Sequence, residues 1–448
     1  MSVAHAERHE RETEPAPRAG RAQPRIGIIG AGPSGIAAAK SLRAAGFKDI
    51  VLFERNREVG GNWIFNPKPS HSSVFETTHI ISSKSLSQYE DFPMPADYPD
   101  YPGHEHLRRY FQDYARHFGV EPLIRFGTEV KRVEPAGGTW RVVLDGGETQ
   151  TFDRLLIANG HHWNPRMPSY PGAFAGEMLH SHDFKSAKQF AGKRVLVIGG
   201  GNSACDIAVE TSRVAGRTCI SMRRGYWFVP KFMMGLPTDV LHQKLMLKFP
   251  KPIRQTMMRM TLKLTQGSNR LYGLQEPEHG PLEAHPTLNS ELLYFIRHGE
   301  IHPKPDIKRF DGHTVHFADG TAEEFDAIIA ATGFVTTFPF LDRAIADYSG
   351  NEVRLYLKIF HPRHENLYFI GLFQPLGCIW PLADYQGRLV AKHIAGQWGR
   401  PSNIDAAIDR EMAHPDYAWT KSVRHAVEVD YHAYRARLIK ELGGRHAF

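Results

Sequence analysis

The sequence predicts an α/β protein with two Rossmann-type dinucleotide-binding domains, because one strand–turn–helix pattern occurs twice along the chain. The first copy begins with the apolar run Ile26–Ile29, followed by the turn GAGPSG at 30–35. The second begins with the apolar run 195–198, followed by the turn GGGNSA at 199–204. A lone glycine-rich turn is weak support, but a helix pattern and a further strand after each turn are typical of a nucleotide-binding unit.

The first turn carries glycines where such a unit needs them. Gly30 is expected to make the tight turn, Gly32 to let the backbone approach a pyrophosphate, and Gly35 to let the helix pack on the strand. Pro33 and Ser34 lie at the start of the helix, where free N–H groups can hold the phosphate charge. We therefore expect these five residues to contact a dinucleotide.

The two units differ in charge at the end of their second strand. Glu54 ends the strand of the first unit, and Arg223 and Arg224 stand at the corresponding separation in the second unit. A carboxylate accepts hydrogen bonds from ribose hydroxyls, whereas arginine accommodates a 2′-phosphate. The sequence therefore predicts FAD in the first site and NADPH in the second. The second turn is expected to contact its nucleotide through Gly199, Gly201, Asn202 and Ser203.

The order of the motifs places the NADP-binding domain inside the FAD-binding domain. We assign residues 24–168 and 325–448 to a discontinuous FAD domain and residues 169–324 to the NADP domain. Residues 1–23 lack apolar periodicity and are predicted to form a disordered tail. In the loop after the first unit, Gly61 would allow close approach to a cofactor and Trp63 could cover it.

Composition excludes several other classes of protein. The net charge of +7 and pI near 9.1 come from dispersed Lys and Arg without a nucleic-acid motif, so no nucleic-acid partner is expected. Three scattered cysteines without a CxxC pair exclude a disulfide reductase and favour a reducing cytoplasm. His361 and His364 have HxxH spacing, but the intervening proline disfavours a metal site, and none is predicted.

Residues 229–274 form an insertion rich in Met and Lys. Six of the chain's 12 methionines lie there, and eight Lys and Arg residues face one acid, Asp239. The favoured interpretation is a helical lid over the active-site cleft; the alternative is contact with a membrane surface or a partner. No apolar run approaches the ~20 residues that a transmembrane helix requires.

Several motifs together resemble the flavin-containing monooxygenases, over roughly residues 25–397. The most specific is FxGxxxHxxxF, with Phe174, Gly176, His180 and Phe184, placed just before the second glycine-rich turn. The segments that support the resemblance are GAGPSG, SxRRG at 221–225, NGHH at 159–162, ATGF at 331–334 and GLxQPLG at 371–377.

The resemblance implies a reaction cycle. NADPH reduces FAD, O2 adds to the reduced flavin as a C4a-hydroperoxide, and a nitrogen or sulfur nucleophile of a small substrate takes the distal oxygen. Such a cofactor does the chemistry while the protein positions it, so no catalytic triad is required. By the same resemblance His180 would couple NADP binding to the active site. The further cofactor contacts that it implies are Thr332, Gly333, Gln374 and Leu376.

One position departs from the family pattern. A loop Asn of the family contacts flavin and nicotinamide, and the match of Ser82, Ser83 and Lys84 places Ile81 there. Isoleucine cannot donate a hydrogen bond. Either Ser82 or Ser83 takes over this role, or the enzyme releases hydrogen peroxide as an NADPH oxidase.

Other functions remain open at this point. Baeyer–Villiger oxygenases of ketones share the cofactors, but they usually carry Trp where this chain has Phe184. A nucleotide-binding sensor that has lost the chemistry is a non-catalytic alternative, and Ile81 is the one feature that favours it. The sequence leaves the substrate undefined, and a homodimer is one of the assemblies that it allows.

Overall fold

A computed structural model describes residues 23–284, 286–350, 352–415 and 427–444. The predicted disordered tail falls almost wholly on residues 1–22, outside the described residues. The strands are β1 (Ile26–Ile29), β2 (Ile50–Phe53), β3 (Ile124–Arg125), β4 (Val130–Ala136), β5 (Thr139–Leu144), β6 (Thr149–Phe152), β7 (Arg154–Ile157), β8 (Glu177–His180), β9 (Arg194–Ile198), β10 (Arg217–Ser221), β11 (Phe228–Val229), β12 (Phe232–Met233), β13 (Leu236–Pro237), β14 (Thr287–Leu288), β15 (Ile301–Lys304), β16 (Ile307–Asp311), β17 (Thr314–Phe317), β18 (Ala322–Glu324), β19 (Ala327–Ala330), β20 (Leu367–Phe369), β21 (Gln374–Pro375) and β22 (Glu428–Val429). The helices are α1 (Pro33–Ala44), α2 (Lys84–Ser87), α3 (His104–His117), α4 (Asn202–Ser212), α5 (Thr238–Leu245), α6 (Lys251–Gln266), α7 (Leu292–Arg297), α8 (Ile379–Ile394), α9 (Ile404–Ala413) and α10 (Tyr431–Glu441).

The first parallel sheet has the strand order β20-β7-β1-β2-β3. Its central strand β1 is fully buried, as its unbroken apolar sequence predicts for a strand covered on both faces. On one face α1 packs against α8 so closely that a Cβ on Gly387 would lie 2.8 Å from the Cα of Ala38. The glycine-rich turn between β1 and α1 therefore sits on a rigid base.

The second parallel sheet has the order β15-β10-β9-β19-β8. In this sheet β9 leads through a glycine-rich turn into α4, as β1 leads into α1 in the first sheet. The prediction of two Rossmann-type domains is therefore confirmed. The predicted return to the FAD domain at residue 325 is wrong, because β19 pairs with β9 and β8 in the second sheet. A short apolar strand satisfies either parallel sheet equally well, so its residues alone do not indicate which sheet it joins.

The insertion 229–274 contains the hairpin β12–β13 and the helices α5 and α6. Met258 and Leu262 of α6 pack against Val229 in a small separate core. The insertion also contacts the first domain, where the Tyr101 hydroxyl donates to the Lys231 carbonyl. None of its described residues lines the central cleft, so the predicted lid over that cleft is wrong. It packs beside the cleft instead.

Candidate functional site

One cleft of about 1090 Å³ lies between the two sheets, and both glycine-rich turns line it. The predicted site residues in its wall are Gly30, Gly32, Pro33, Ser34, Glu54, Gly61, Trp63, Ile81, Ser82, Gly199, Gly201, Asn202, Ser203, Arg223, Arg224, Thr332, Gly333 and Gln374. Four others do not line it: Gly35, Ser83, His180 and Leu376. Two nucleotides bound at these turns would therefore meet in one space.

The first turn needs its glycines for steric reasons. Gly30 has φ +103°, and a Cβ there would lie 2.6 Å from the Ala158 carbonyl oxygen. A Cβ on Gly35 would lie 2.0 Å from the carbonyl oxygen of Gly30, so Gly35 allows the helix to pack on the turn rather than touching a ligand. Gly61, with φ +57°, brings its backbone against Gly32. The result is an open backbone cradle at the start of α1.

Glu54 is buried at the end of β2. One carboxylate oxygen accepts the Ala31 amide at 2.8 Å, and the other accepts the backbone and side-chain N–H groups of Asn56 at 2.9 and 2.6 Å. Burial raises the pKa of this carboxyl group, and these hydrogen bonds oppose the rise. The carboxylate is thus held in a fixed orientation against the cleft, as a ribose-binding acid requires.

Three buried polar atoms in the cleft wall make no hydrogen bond of standard geometry with a described residue: Nε2 of His161, Oε1 of Gln374 and Nε of Arg224. Burial lowers the pKa of His161 to about 4, so its ring is neutral near pH 7. His161 still interacts weakly with the Gln374 side chain and the Gly371 backbone, and a ligand that hydrogen-bonds these buried atoms would satisfy them more fully. Trp63 and Trp380 form an edge-on pair with ring centroids 5.9 Å apart. This pair, the backbone cradle and the side chains of His161 and Gln374 together fit a flavin nucleotide.

The second turn follows the same steric rule. Gly199 has φ +135°, and a Cβ on it would lie 2.5 Å from the Ala331 carbonyl oxygen. Asn202 accepts the Leu288 amide at 2.7 Å through its side-chain oxygen, so that side chain fixes β14, leaving its backbone to line the cleft. Ser203 is exposed. These positions again leave backbone N–H groups at a helix N-terminus open to an anion.

The two arginines have different environments. Arg224 is half-buried, its guanidinium lies 5.4 Å from the Tyr226 ring centroid, and its buried Nε makes no hydrogen bond with a described residue. Arg223 is exposed on the same wall. A stacked guanidinium with an unpaired donor suits a 2′-phosphate, which accepts charge-assisted hydrogen bonds. The residues present therefore fit NADPH.

The loop 79–83 contains Ile81, the position at which this chain differs from the family pattern. Ile81 lines the cleft with an apolar side chain. The Ser82 hydroxyl hydrogen-bonds the Ser87 hydroxyl at 2.8 Å, and the Ser83 amide donates to Asp239 at 2.6 Å. The position of Ser83 does not support its predicted role, because it faces the insertion. Either hydroxyl of this pair can be the donor, so Ser82 keeps a hydrogen to offer when Ser87 donates to it.

His180 ends β8 beneath the cleft instead of lining it. Its Nδ1 accepts the His182 amide at 3.0 Å, and its ring meets Phe334 edge-on at 5.3 Å. Burial lowers its pKa to about 4, so the imidazole is neutral at physiological pH. His180 pairs with Ala330 at the end of β19. The chain runs from Ala330 directly into the segment 332–334 of the cleft wall, so His180 lies next to that segment.

Sequence reasoning missed several residues of the wall. They include Asn62, His71, Ser73, Asn159, His161, Arg166, Asp206, Asp306 and Trp380. His161 and Asn159 belong to the NGHH segment, which was an available signal. The others have no local pattern, because they come from loops and helices that only the fold brings together. Among the described residues no group of three or more His, Cys, Asp or Glu side chains could hold a metal ion.

The family described as flavin-binding monooxygenase-like matches residues 23–447. The chain is 36% identical over 431 residues to flavin-containing monooxygenase 5 of Homo sapiens, covering 91% of this chain and 80% of that protein. It is 34% identical over 448 residues to dimethylaniline monooxygenase [N-oxide-forming] 2 of Oryctolagus cuniculus, covering 94% and 83%. The fold and cleft thus define a class of two-nucleotide flavoprotein, and the chain belongs to the flavin-containing monooxygenase family. Its cofactors are FAD and NADPH, as predicted.

Solved structures show the same fold. S-allyl-L-cysteine S-oxygenase of Allium sativum superposes with a TM-score of 0.70 at 24% identity, covering 95% of this chain and 90% of that one. Cyclohexanone monooxygenase of Rhodococcus sp. Phi1, bound to NADP+, also reaches 0.70 at 16% identity, covering 95% and 98%. These likenesses confirm the predicted α/β class with two Rossmann-type domains.

Proposed function

We propose that this flavin monooxygenase uses NADPH and O2 to oxygenate a nitrogen or sulfur atom of a small organic substrate. The observation that carries the proposal is the single cleft lined by both glycine-rich turns, because hydride donor and acceptor must meet. Two relatives bear names of the same chemistry, N-oxide formation and S-oxygenation. FAD held there and reduced by NADPH would activate O2, so that one oxygen atom goes to the substrate and the other leaves as water.

For FAD, we assign the cradle of Gly30, Gly32, Pro33 and Ser34 to the pyrophosphate and Glu54 to the ribose. The N-terminus of α1 supports an anion there, since its first amides have no partner within the helix. His161 and Gln374 offer an acceptor or donor to the polar edge of the ring system. Gly61, Trp63, Thr332 and Gly333 complete the wall.

For NADPH, we assign the turn Gly199–Ser203 to the pyrophosphate and Arg224, assisted by Arg223, to the 2′-phosphate. His180 is a positioning residue in this proposal. Its ring supports Phe334 from below, and its strand is continuous with the linker that leads into the second unit. A change at His180 would therefore act on the relative placement of the two nucleotides.

Release of hydrogen peroxide is a second outcome that one observation favours. Ile81 presents an aliphatic side chain to the cleft where an amide donor is expected, and the hydroxyl of the adjacent Ser82 hydrogen-bonds Ser87. An apolar wall excludes water but gives no hydrogen bond to a polar oxygen species. When no substrate is present, we expect part of the O2 that is reduced by NADPH to be released as hydrogen peroxide.

We place the enzyme in the cytoplasm. Cys205, Cys219 and Cys378 are all buried and free, as expected in a reducing compartment. Burial raises the pKa of the Cys205 and Cys378 thiols well above their usual range, so neither is a reactive thiolate. Within the described residues no helix is long and apolar enough to cross a membrane.

The test follows NADPH oxidation, O2 uptake and peroxide release by purified holoenzyme, alone and with tertiary amines, thioethers and ketones. We expect NADPH oxidation in every case, with amines or thioethers lowering peroxide and yielding N-oxide or S-oxide. Ester or lactone from a ketone, without any N- or S-oxide, would instead establish the Baeyer–Villiger alternative. Peroxide equal to NADPH consumed with every compound would leave an NADPH oxidase.

A further inference from the structure

Lys185 is a buried cation in the linker 181–193, which connects β8 to β9 of the second sheet. It is only 6% exposed, and it forms no ion pair with a carboxylate of a described residue. Burial lowers the pKa of its amine, and the charge of Asp183 opposes that shift. A lysine is seldom buried without a carboxylate partner, so other groups must compensate its ammonium charge.

Three backbone carbonyl groups accept the hydrogens of this ammonium group. The Nζ atom donates to the carbonyl oxygens of Ser72 at 2.6 Å, His182 at 2.9 Å and Val74 at 3.4 Å. An ammonium group has three N–H donors, so all of them are used. Two of the acceptors belong to the loop segment 71–76, 113 and 111 residues earlier in the chain. Lys185 therefore joins the linker to this loop segment.

Further contacts hold the same loop segment on the linker. The Glu76 amide donates to the Lys185 carbonyl at 2.9 Å, and the Phe75 and Phe184 rings meet edge-on at 5.2 Å. Lys188 pairs with the Glu76 carboxylate at 2.7 Å, but its side chain is 77% exposed. An exposed ion pair contributes little, whereas a buried ammonium group holds its acceptors firmly. Among these contacts, the hydrogen bonds of Lys185 are therefore expected to have the largest effect.

The other side of the loop segment holds the FAD side of the cleft. Ser72 donates its hydroxyl to the Asn62 carbonyl at 2.6 Å, and Ser73 donates its amide to Asn62 Oδ1 at 2.8 Å. Asn62 lies between Gly61 and Trp63 in the cleft wall, to which we assigned the flavin nucleotide. A short path of hydrogen bonds thus leads from the linker, through the loop segment, to the FAD side.

We propose that Lys185 is a positioning residue that fixes the placement of FAD and NADPH relative to each other for hydride transfer. The linker that carries it runs into β9 and the second glycine-rich turn, while its acceptors lead to Gly61 and Trp63. A misplacement of about 1 Å can cost about 100-fold in rate. The proposal rests on the proposed function only in assigning the two nucleotides to their turns; the oxygenated substrate does not enter it.

Lys185→Met tests the proposal, because methionine keeps an unbranched side chain and removes the three donors. The holoenzyme is mixed with NADPH in the absence of O2, and the rate constant of flavin reduction is measured by stopped-flow absorbance at saturating NADPH. We expect this rate constant, per bound flavin, to fall by about 10- to 100-fold. The dissociation constant of NADP+ should change by about threefold at most, because the second turn and Arg224 are distant from the substitution. Loss of flavin or of folded protein would not lower a rate constant expressed per bound flavin.

A second measurement does not use the reaction. Amide hydrogen exchange of the holoenzyme, followed by mass spectrometry, should be faster by at least about tenfold in peptides that cover 61–63 and 71–76 of Lys185→Met. Ser72→Ala keeps Lys185 and removes the hydroxyl that donates to Asn62. This variant should increase exchange at 61–63 and lower the reduction rate constant in the same direction as Lys185→Met.

Lys188→Met is the matched control. It removes another lysine of the same linker that contacts the same loop segment, but through an exposed ion pair. Its reduction rate constant and its hydrogen exchange should stay within about twofold of those of the unchanged enzyme.

Two outcomes would overturn the proposal. The first is a reduction rate constant per bound flavin in Lys185→Met that equals that of Lys188→Met. The second is unaltered hydrogen exchange at 61–63 and 71–76 in Lys185→Met, which would refute the connection between linker and FAD side. An unchanged enzyme whose flavin NADPH does not reduce would contradict the proposed function instead, and hydrogen exchange would still decide whether Lys185 makes this connection.

Discussion

Replacing Arg224 by Gln tests how the second site distinguishes NADPH from NADH. The guanidinium stacks on Tyr226 and keeps a buried, unpaired Nε, so a 2′-phosphate can take a charge-assisted hydrogen bond from it. Such bonds contribute about 1.5–3 kcal/mol, or roughly 10- to 100-fold in kcat/KM. Loss of the stacking contact costs about 0.5–1 kcal/mol and affects both cofactors equally.

The assay therefore compares kcat/KM for NADPH and NADH, measured from the absorbance of the reduced nicotinamide. In Arg224→Gln we expect the NADPH to NADH ratio to fall by roughly 10- to 100-fold. Arg223→Gln is the matched control: that side chain is exposed, so its ratio should change by about fivefold at most. An unchanged ratio in Arg224→Gln, with both cofactors weakened alike, would refute the assignment of the 2′-phosphate to this residue.

Three further predictions concern coupling, packing and pH. Ile81→Asn places an amide donor in the cleft wall and should lower the amount of peroxide released per NADPH consumed. The control Ile81→Leu should leave that ratio unchanged. A higher ratio in Ile81→Asn would contradict the prediction. Gly35→Ala would place a Cβ 2.0 Å from the Gly30 carbonyl oxygen, so it should lower the unfolding free energy by about 1–3 kcal/mol and reduce the amount of bound flavin. The control is Gly399→Ala, where the added Cβ meets open space. Equal thermal midpoints for the two variants would contradict the prediction. His361 is buried, and burial lowers its pKa to about 4. The unfolded chain therefore binds the proton more readily than the folded protein does. The unfolding free energy should fall by up to about 3 kcal/mol as the pH falls from about 6.5 towards 4. His361→Gln should flatten that part of the urea-midpoint profile, and an unchanged slope would be inconsistent with this cause.

The parts of the site that can be predicted from the sequence are those that depend on residues close together in the chain. The tight turns favour glycine at Gly30, with φ +103°, and at Gly199, with φ +135°, and this demand of the backbone is local. The position that reads the ribose is placed by the length of one βαβ unit, so Glu54 and Arg223 could be located by counting, whereas the preference for Arg224 came from its contacts in the structure. For the same reason the two nucleotide units and their cofactors were predictable.

What only the tertiary structure decided involves residues distant in the chain. Strand β19 joins the second sheet because β9 and β8 supply its partners, which no property of its four residues reveals. The pairing of Ser82 with Ser87, the turning of Ser83 towards Asp239, and the exposed apolar side chains of α6 all depend on which surface packs against which. Sequence pattern determines that a face is apolar; the fold determines whether anything covers it, because burial depends on packing against elements far away in the chain.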